Sequence, residues 1–136
     1  LNLLFGGVVG GGAILLLRYS LQQRGTLGRA GKAISLCLFF LVDLMMSALR
    51  VALIVLRPDI RSAICPAIIA VPLTVKSDAE ITLLANMITL TPGTLSIDVA
   101  EDRSVLFVHA LSMKSEAELI DGIKNGFEAR IGEIFK

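Results

Sequence analysis

The chain has 136 residues, of which 54% are hydrophobic and only 18% charged, against about a quarter charged in an ordinary soluble domain. That balance excludes a disordered chain, a coiled coil and an ordinary cytosolic domain, and it points to a membrane protein. The formal charge of +1 is the sum of a basic half (residues 1–75, seven basic and two acidic) and an acidic half (residues 76–136, six basic and ten acidic), so no clustered basic face is available to displace phosphate counterions on nucleic acid.

Residues 1–17 carry no charge. As a helix they span about 25 Å, slightly less than a bilayer core of about 30 Å, and Tyr19 at the interface helps complete the span. The segment reads as a membrane helix. Gly6 and Gly10, and Gly7 and Gly11, form two overlapping pairs four residues apart, a flat face on which another helix can pack closely in lipid. No Lys-Ser/Thr follows them, so a phosphate-binding loop is not indicated. The chain begins at Leu1, which leaves an upstream segment open. A signal peptide is not expected, because no charged stretch precedes the apolar run and no clear cleavage site follows it.

Residues 18–32 are polar, with Arg18, Arg24, Arg29 and Lys32 and no acid, and read as a short cytoplasmic loop. Contact with anionic headgroups is a further use for these charges. Residues 33–56 form a second apolar stretch, long enough to span with tilt but interrupted by Asp43 and Arg50. Asp43, Ser47, Arg50 and Arg57 recur at helical spacing and make one polar stripe, which equally suits a helix packed along a protein surface or lying in the membrane interface. A single crossing puts Arg57 and Arg61 on the opposite side from the first basic loop. Keeping both basic ends in the cytoplasm requires a helix that lies along the membrane or dips into it.

Arg57-Pro58-Asp59 ends that helix, since proline lacks the amide donor and restricts its predecessor. Ala67–Val75 is a short β-branched run that Pro72 confines to a sheet edge or a bulge. Ser77-Asp78-Ala79-Glu80 is a capping box opening a helix to about Leu90, apolar nearly all round and therefore expected to be covered on more than one side. Thr91-Pro92-Gly93-Thr94 supplies a turn. Leu95, Ile97 and Val99 alternate with Ser96 and Asp98 as a half-buried strand, paired antiparallel with a second strand over Ser104–Ala110. Ser115-Glu116-Ala117-Glu118 opens a last helix with Ile120, Ile123, Phe127, Ile131 and Ile134 on one face. The expected fold is a membrane α-helical part (residues 1–61) plus a small α+β domain (residues 62–136). The order β-α-β-β-α is the split βαβ, ferredoxin-like arrangement with its last strand lacking. A domain of this size is small for an independent core and is expected to lean on the membrane or a partner.

Cys37 and Cys65 show no metal or disulfide spacing and read as buried small hydrophobes. Asp43, at the centre of an apolar stretch, is the candidate for cation or proton handling, with Arg50 about 10 Å along the same face; structural ion pairing is the plainer reading. His109, on the Val105 and Phe107 face, is the candidate pH-reporting residue, with a hydrogen-bonded structural histidine as the plainer reading. With a single histidine, neither a multi-histidine metal site nor a Ser-His-Asp or Cys-His constellation is available. No cofactor is indicated.

Val55-Leu56-Arg57-Pro58, Glu80 through Asn86, the run from Ile88 through Thr91-Pro92-Gly93-Thr94 to Asp98-Val99, and Val108-His109-Ala110 resemble the E-type subunit of the Mrp-type (Mnh/Pha) sodium/proton antiporter. The resemblance runs in order along essentially the whole chain. It implies an accessory subunit of a multisubunit cation/proton antiporter in the bacterial plasma membrane, multi-pass, with the C-terminal domain cytoplasmic. The other antiporter subunits (A, B, C, D, F and G) and the lipid bilayer are then its partners, and a dimer of the whole complex stays open. On this reading the large subunits conduct protons, and this chain serves assembly and packing. The motif residues Arg57, Pro58, Asn86, Thr91, Pro92, Gly93, Thr94, Asp98 and His109 become candidate partner contacts. A membrane-tethered regulatory module, and a self-sufficient small transporter using Asp43, are the alternatives.

Overall fold

A computed structural model describes residues 26–136 apart from Lys114. The glycine pairs Gly6/Gly10 and Gly7/Gly11, with Arg18 and Arg24, lie outside the described residues. In chain order the elements are α1 (Thr26–Val55), α2 (Ile60–Ala63), β1 (Ala67–Pro72), α3 (Asp78–Leu90), β2 (Thr94–Val99) and β3 (Val105–Ala110). A C-terminal helix follows in three parts: α4 (Glu116–Asp121), a π-helical stretch (Gly122–Glu128) and α5 (Ala129–Phe135).

Helix α1 is longer than its apolar run. Residues 26–32, expected in the basic loop, are already helical, although Gly28 and Gly31 each cost about 1 kcal/mol of helix propensity. Tertiary contacts outweigh that cost: Lys32 Nζ donates to the Glu133 carbonyl at 2.9 Å and Leu36 is buried one turn later. The helix stops just before Arg57-Pro58, where proline denies the next turn its donor.

The three strands form one sheet in the order β1-β3-β2 with both pairings antiparallel. β1 and β2 therefore run parallel on either side of β3, and α3 makes the crossover between them. Pro72 closes β1, on an edge where a missing amide donor is harmless. One sheet face is covered. Ile69, Val71, Leu106 and Val108 pack there against Ile81, Leu84, Met87 and Ile88 of α3 and against Ile123, Phe127 and Ile131 of the C-terminal helix. Phe39 and Phe40 of α1 meet the Phe127 ring edge-on, with centroids 5.5 and 6.3 Å away, so α1 lies against the C-terminal helix.

Two expectations are corrected. In β2 the first two apolar residues face outward: Leu95 and Ile97 are 49% and 50% exposed, while Val99 packs against the core and Ser96 turns to α3. Its hydroxyl donates to the Ala85 carbonyl at 3.0 Å and its amide to Thr89 Oγ1. Satisfied polar groups thus occupy the covered side, and a register irregularity between Ser96 and Asp98 follows. Cys37 and Cys65, expected to be buried, are both exposed. Cys37 stands on a helix whose outer side no described residue covers, and Cys65 precedes the sheet edge.

Candidate functional site

The polar stripe of α1 and the Thr91–Thr94 turn meet in one cleft of ≈ 680 Å³, lined by Asp43, Ser47, Arg50 and Arg57 on one side and by the turn, Ser115 and Glu118 on the other. The turn is built from its own hydrogen bonds. Thr91 Oγ1 donates to the Met87 carbonyl at 2.9 Å beside the Thr91 amide, and Thr94 Oγ1 donates to the Ile88 carbonyl at 2.7 Å, whose regular helical donor would be the amide that Pro92 lacks. The Thr94 amide closes the turn on the Thr91 carbonyl at 3.2 Å. Gly93 sits at φ +93°, the left-handed conformation that the third position of a type II turn requires. A Cβ there would also stand 3.2 Å from Val51 Cγ2, so the turn seats directly on α1.

Asp43 and Arg50 approach to 3.9 Å, with side chains 29% and 67% exposed. An ion pair so open to its surroundings is worth about 0–1 kcal/mol. The lining provides hydroxyls, carboxylates and guanidinium groups but no imidazole, so a histidine-activated nucleophile cannot form there. Among the described residues no three His, Cys, Asp or Glu side chains are grouped to hold a metal ion. The remaining candidates stand apart from the cleft. Asn86 is exposed on α3, Pro58 on the turn after α1, and Asp98 on β2, where it accepts from the Val99 amide at 2.8 Å. His109 is half-buried on the central strand, flanked by Ile68 of β1 and Leu95 of β2.

A second polar cluster is not apparent from the sequence. Glu128, 3% exposed, accepts from the Thr74 amide, from Thr74 Oγ1 at 3.0 Å and from the Val75 amide at 3.0 Å. Lys124 stands 3.8 Å from the same carboxylate and donates to the Pro72 carbonyl at 3.0 Å. Together they tie the end of β1 to the π-helical stretch. The available signal was an acid one residue past Phe127, on the border of the apolar stripe. Elsewhere, Ser77 lowers the Glu80 pKa through its hydroxyl and then its backbone amide, and Ser104 does the same for Asp102.

An α+β domain with a three-stranded antiparallel sheet, carrying a long apolar helix along its flank, defines the structural class. Helix residues 28–55 are long and apolar enough to cross a membrane by length and composition. A chain in the structure of the membrane-bound sulfane sulfur reductase, an archaeal respiratory membrane complex, is similar with TM-score 0.67 and 29% identity, covering 98% of this chain and 84% of that one. One in the Mrp complex from Dietzia sp. shares the fold with TM-score 0.54 and 23% identity, over 68% of this chain and 86% of that one. The family model for Na+/H+ ion antiporter subunit (MNHE) matches residues 1–134, and the chain belongs to that family. It is 36% identical to the E-type Na+/H+ antiporter subunit of Alkalihalophilus pseudofirmus, over 99% of this chain and 84% of the relative. The corresponding E-type chain of Bacillus subtilis is 38% identical over 74% of this chain and 63% of its own length.

Proposed function

We propose that this chain is an accessory, non-enzymatic subunit of an Mrp-type multisubunit Na+/H+ antiporter in the bacterial plasma membrane. It serves assembly and packing rather than direct proton conduction. Its partners are the other antiporter subunits and the lipid bilayer. Residues 1–61 form the membrane-associated part, and residues 62–136 a domain on the cytoplasmic side. The sheet order β1-β3-β2 supports reading that domain as ferredoxin-like with the last strand lacking.

The observation that carries this reading is the uncovered face of the sheet. Ile68 of β1 (65% exposed), Leu95 and Ile97 of β2 and Phe107 of β3 line it, so among the described residues apolar side chains from all three strands stand without cover. Contiguous apolar surface on a folded domain marks an interaction site, and membership of an antiporter-subunit family supplies the kind of partner. Asp43, already beside Arg50, is a poor candidate for a free-standing ion carrier.

Pull-down of the tagged chain from mild detergent should recover the large antiporter subunits, and Ile97→Glu should reduce that recovery while the complex-free chain stays folded. Recovery of the chain alone at physiological expression would sink the proposal. Sodium/proton exchange by the purified chain in liposomes, abolished by Asp43→Asn, would establish the self-sufficient transporter instead.

A further inference from the structure

The polar side of α1 faces protein and its apolar side faces outward. At 3.6 residues per turn, Arg29, Lys32, Asp43, Ser47 and Arg50 fall on one arc. That arc meets the domain: Lys32 bonds the Glu133 carbonyl, the Arg130 guanidinium lies 3.9 Å over the Phe39 ring, and Ser47 is buried. On the opposite arc Ile34, Leu38, Val42, Met45, Leu49 and Leu53 are all exposed, and no charged residue stands among them.

The docking runs from Lys32, on the Glu133 carbonyl, to Val51, against the Gly93 turn. That covers about 28 Å of axis, close to the thickness of a bilayer core. If α1 crossed the membrane with the domain in place, Asp43, Arg50 and Arg130 would enter hydrocarbon, where ionised side chains are strongly disfavoured. Charge also distinguishes the two sides. Residues 26–61 carry five basic and two acidic residues, whereas residues 76–136 carry six basic and ten acidic. An anionic surface therefore attracts the helix and repels the domain.

We infer that α1 lies in the plane of the membrane surface, its apolar arc sunk into the boundary between headgroups and acyl chains, with the domain carried on the aqueous side. The occupant of the uncovered arc is lipid. Arg29 and Lys32 at one end and Arg57 and Arg61 at the other then share one side of the membrane, which removes the conflict that a single crossing creates between the two basic segments. This placement rests on the membrane setting of the proposed function.

The test uses the assembled complex in liposomes containing anionic phospholipid. Nitroxide labels at single cysteines replacing Leu38, Val42, Met45, Leu49 and Leu53, with Cys37 and Cys65 changed to Ala, report depth from the ratio of oxygen to nickel-chelate collisions. A flat helix places all five at one shallow level, about 5–10 Å below the headgroups. A crossing helix spreads Leu38 and Leu53 by about 22 Å along the membrane normal, which overturns the inference. Labels shielded from both reagents also overturn it, because a protein then covers the arc. Phospholipids with a photoreactive group at a fixed acyl depth give the same reading on the unsubstituted chain. A shallow probe should tag residues 34–56 along their length, and tagging only by a deep probe at mid-helix overturns the inference. A chain recovered outside the membrane altogether refutes the membrane setting, a different failure.

Discussion

At the scale of single residues, Glu128 anchors the segment after β1 to the C-terminal helix. Truncation by Glu128→Ala leaves the Thr74 and Val75 amides without their acceptor and Lys124 beside an empty site. The expected loss is about 3 kcal/mol, since buried bonds to a charged group are each worth about 1.5–3 kcal/mol. Glu128→Gln keeps an oxygen for the two amides and should lose less. Urea denaturation of the detergent-solubilised chain orders the two variants. Glu80 gives a pH prediction with a definite sign. Its carboxyl is held below the ordinary value of 4.5 by the Ser77 hydroxyl and amide, so its capping contribution is present above that value and is lost as pH falls through the lowered one. Amide exchange at the start of α3 should accelerate on acidification through that window. Ser77→Ala should cost about 1 kcal/mol and flatten the pH response. The capping pair was legible in the sequence because both of its bonds close within three residues. Glu128 was not, because its partners lie 53 and 54 residues away.

At the scale of elements, the contact between α1 and the C-terminal helix turns on Gly126. A Cβ there would stand 3.3 Å from Phe39 Cζ, which the end of an aromatic ring can yield, while alanine gains about 1 kcal/mol of helix propensity over glycine. Gly126→Ala should therefore be near neutral. Gly126→Leu cannot fit without displacing Phe39 and should cost about 2 kcal/mol, loosening α1 from the domain. Limited proteolysis in mild detergent, with new cleavage within residues 26–56, reads that loss. The helices and strands were legible from periodicity and turn residues, and Pro72 marked an edge. Which face of β2 is covered was not legible. Alternation separates two faces without naming the inner one, and here the Ala85 carbonyl satisfies the Ser96 hydroxyl on the covered side. The start of α1 was missed for a related reason: contacts to Glu133, about a hundred residues on in the chain, override two glycines.

At the scale of the whole molecule, the division of charge read from composition corresponds to a division of surfaces, a basic helix with an apolar outer side and an acidic domain with an apolar open sheet. Neither surface is suited to water. The β1 strand adds a third demand, because among the described residues it pairs with β3 alone, which makes its outer edge from Ala67 to Val71 a template for another chain. Proline at position 72 blunts just one end of that edge. Made in excess of its partners, such a chain exposes what chaperones and proteases recognise, so its turnover depends on capture. Pulse-chase labelling should show a shorter half-life when the other subunits are deleted, with an unchanged half-life ruling this out. The unfinished sheet then acts as a counting device: copies that find a place in the complex persist, and the surplus is removed.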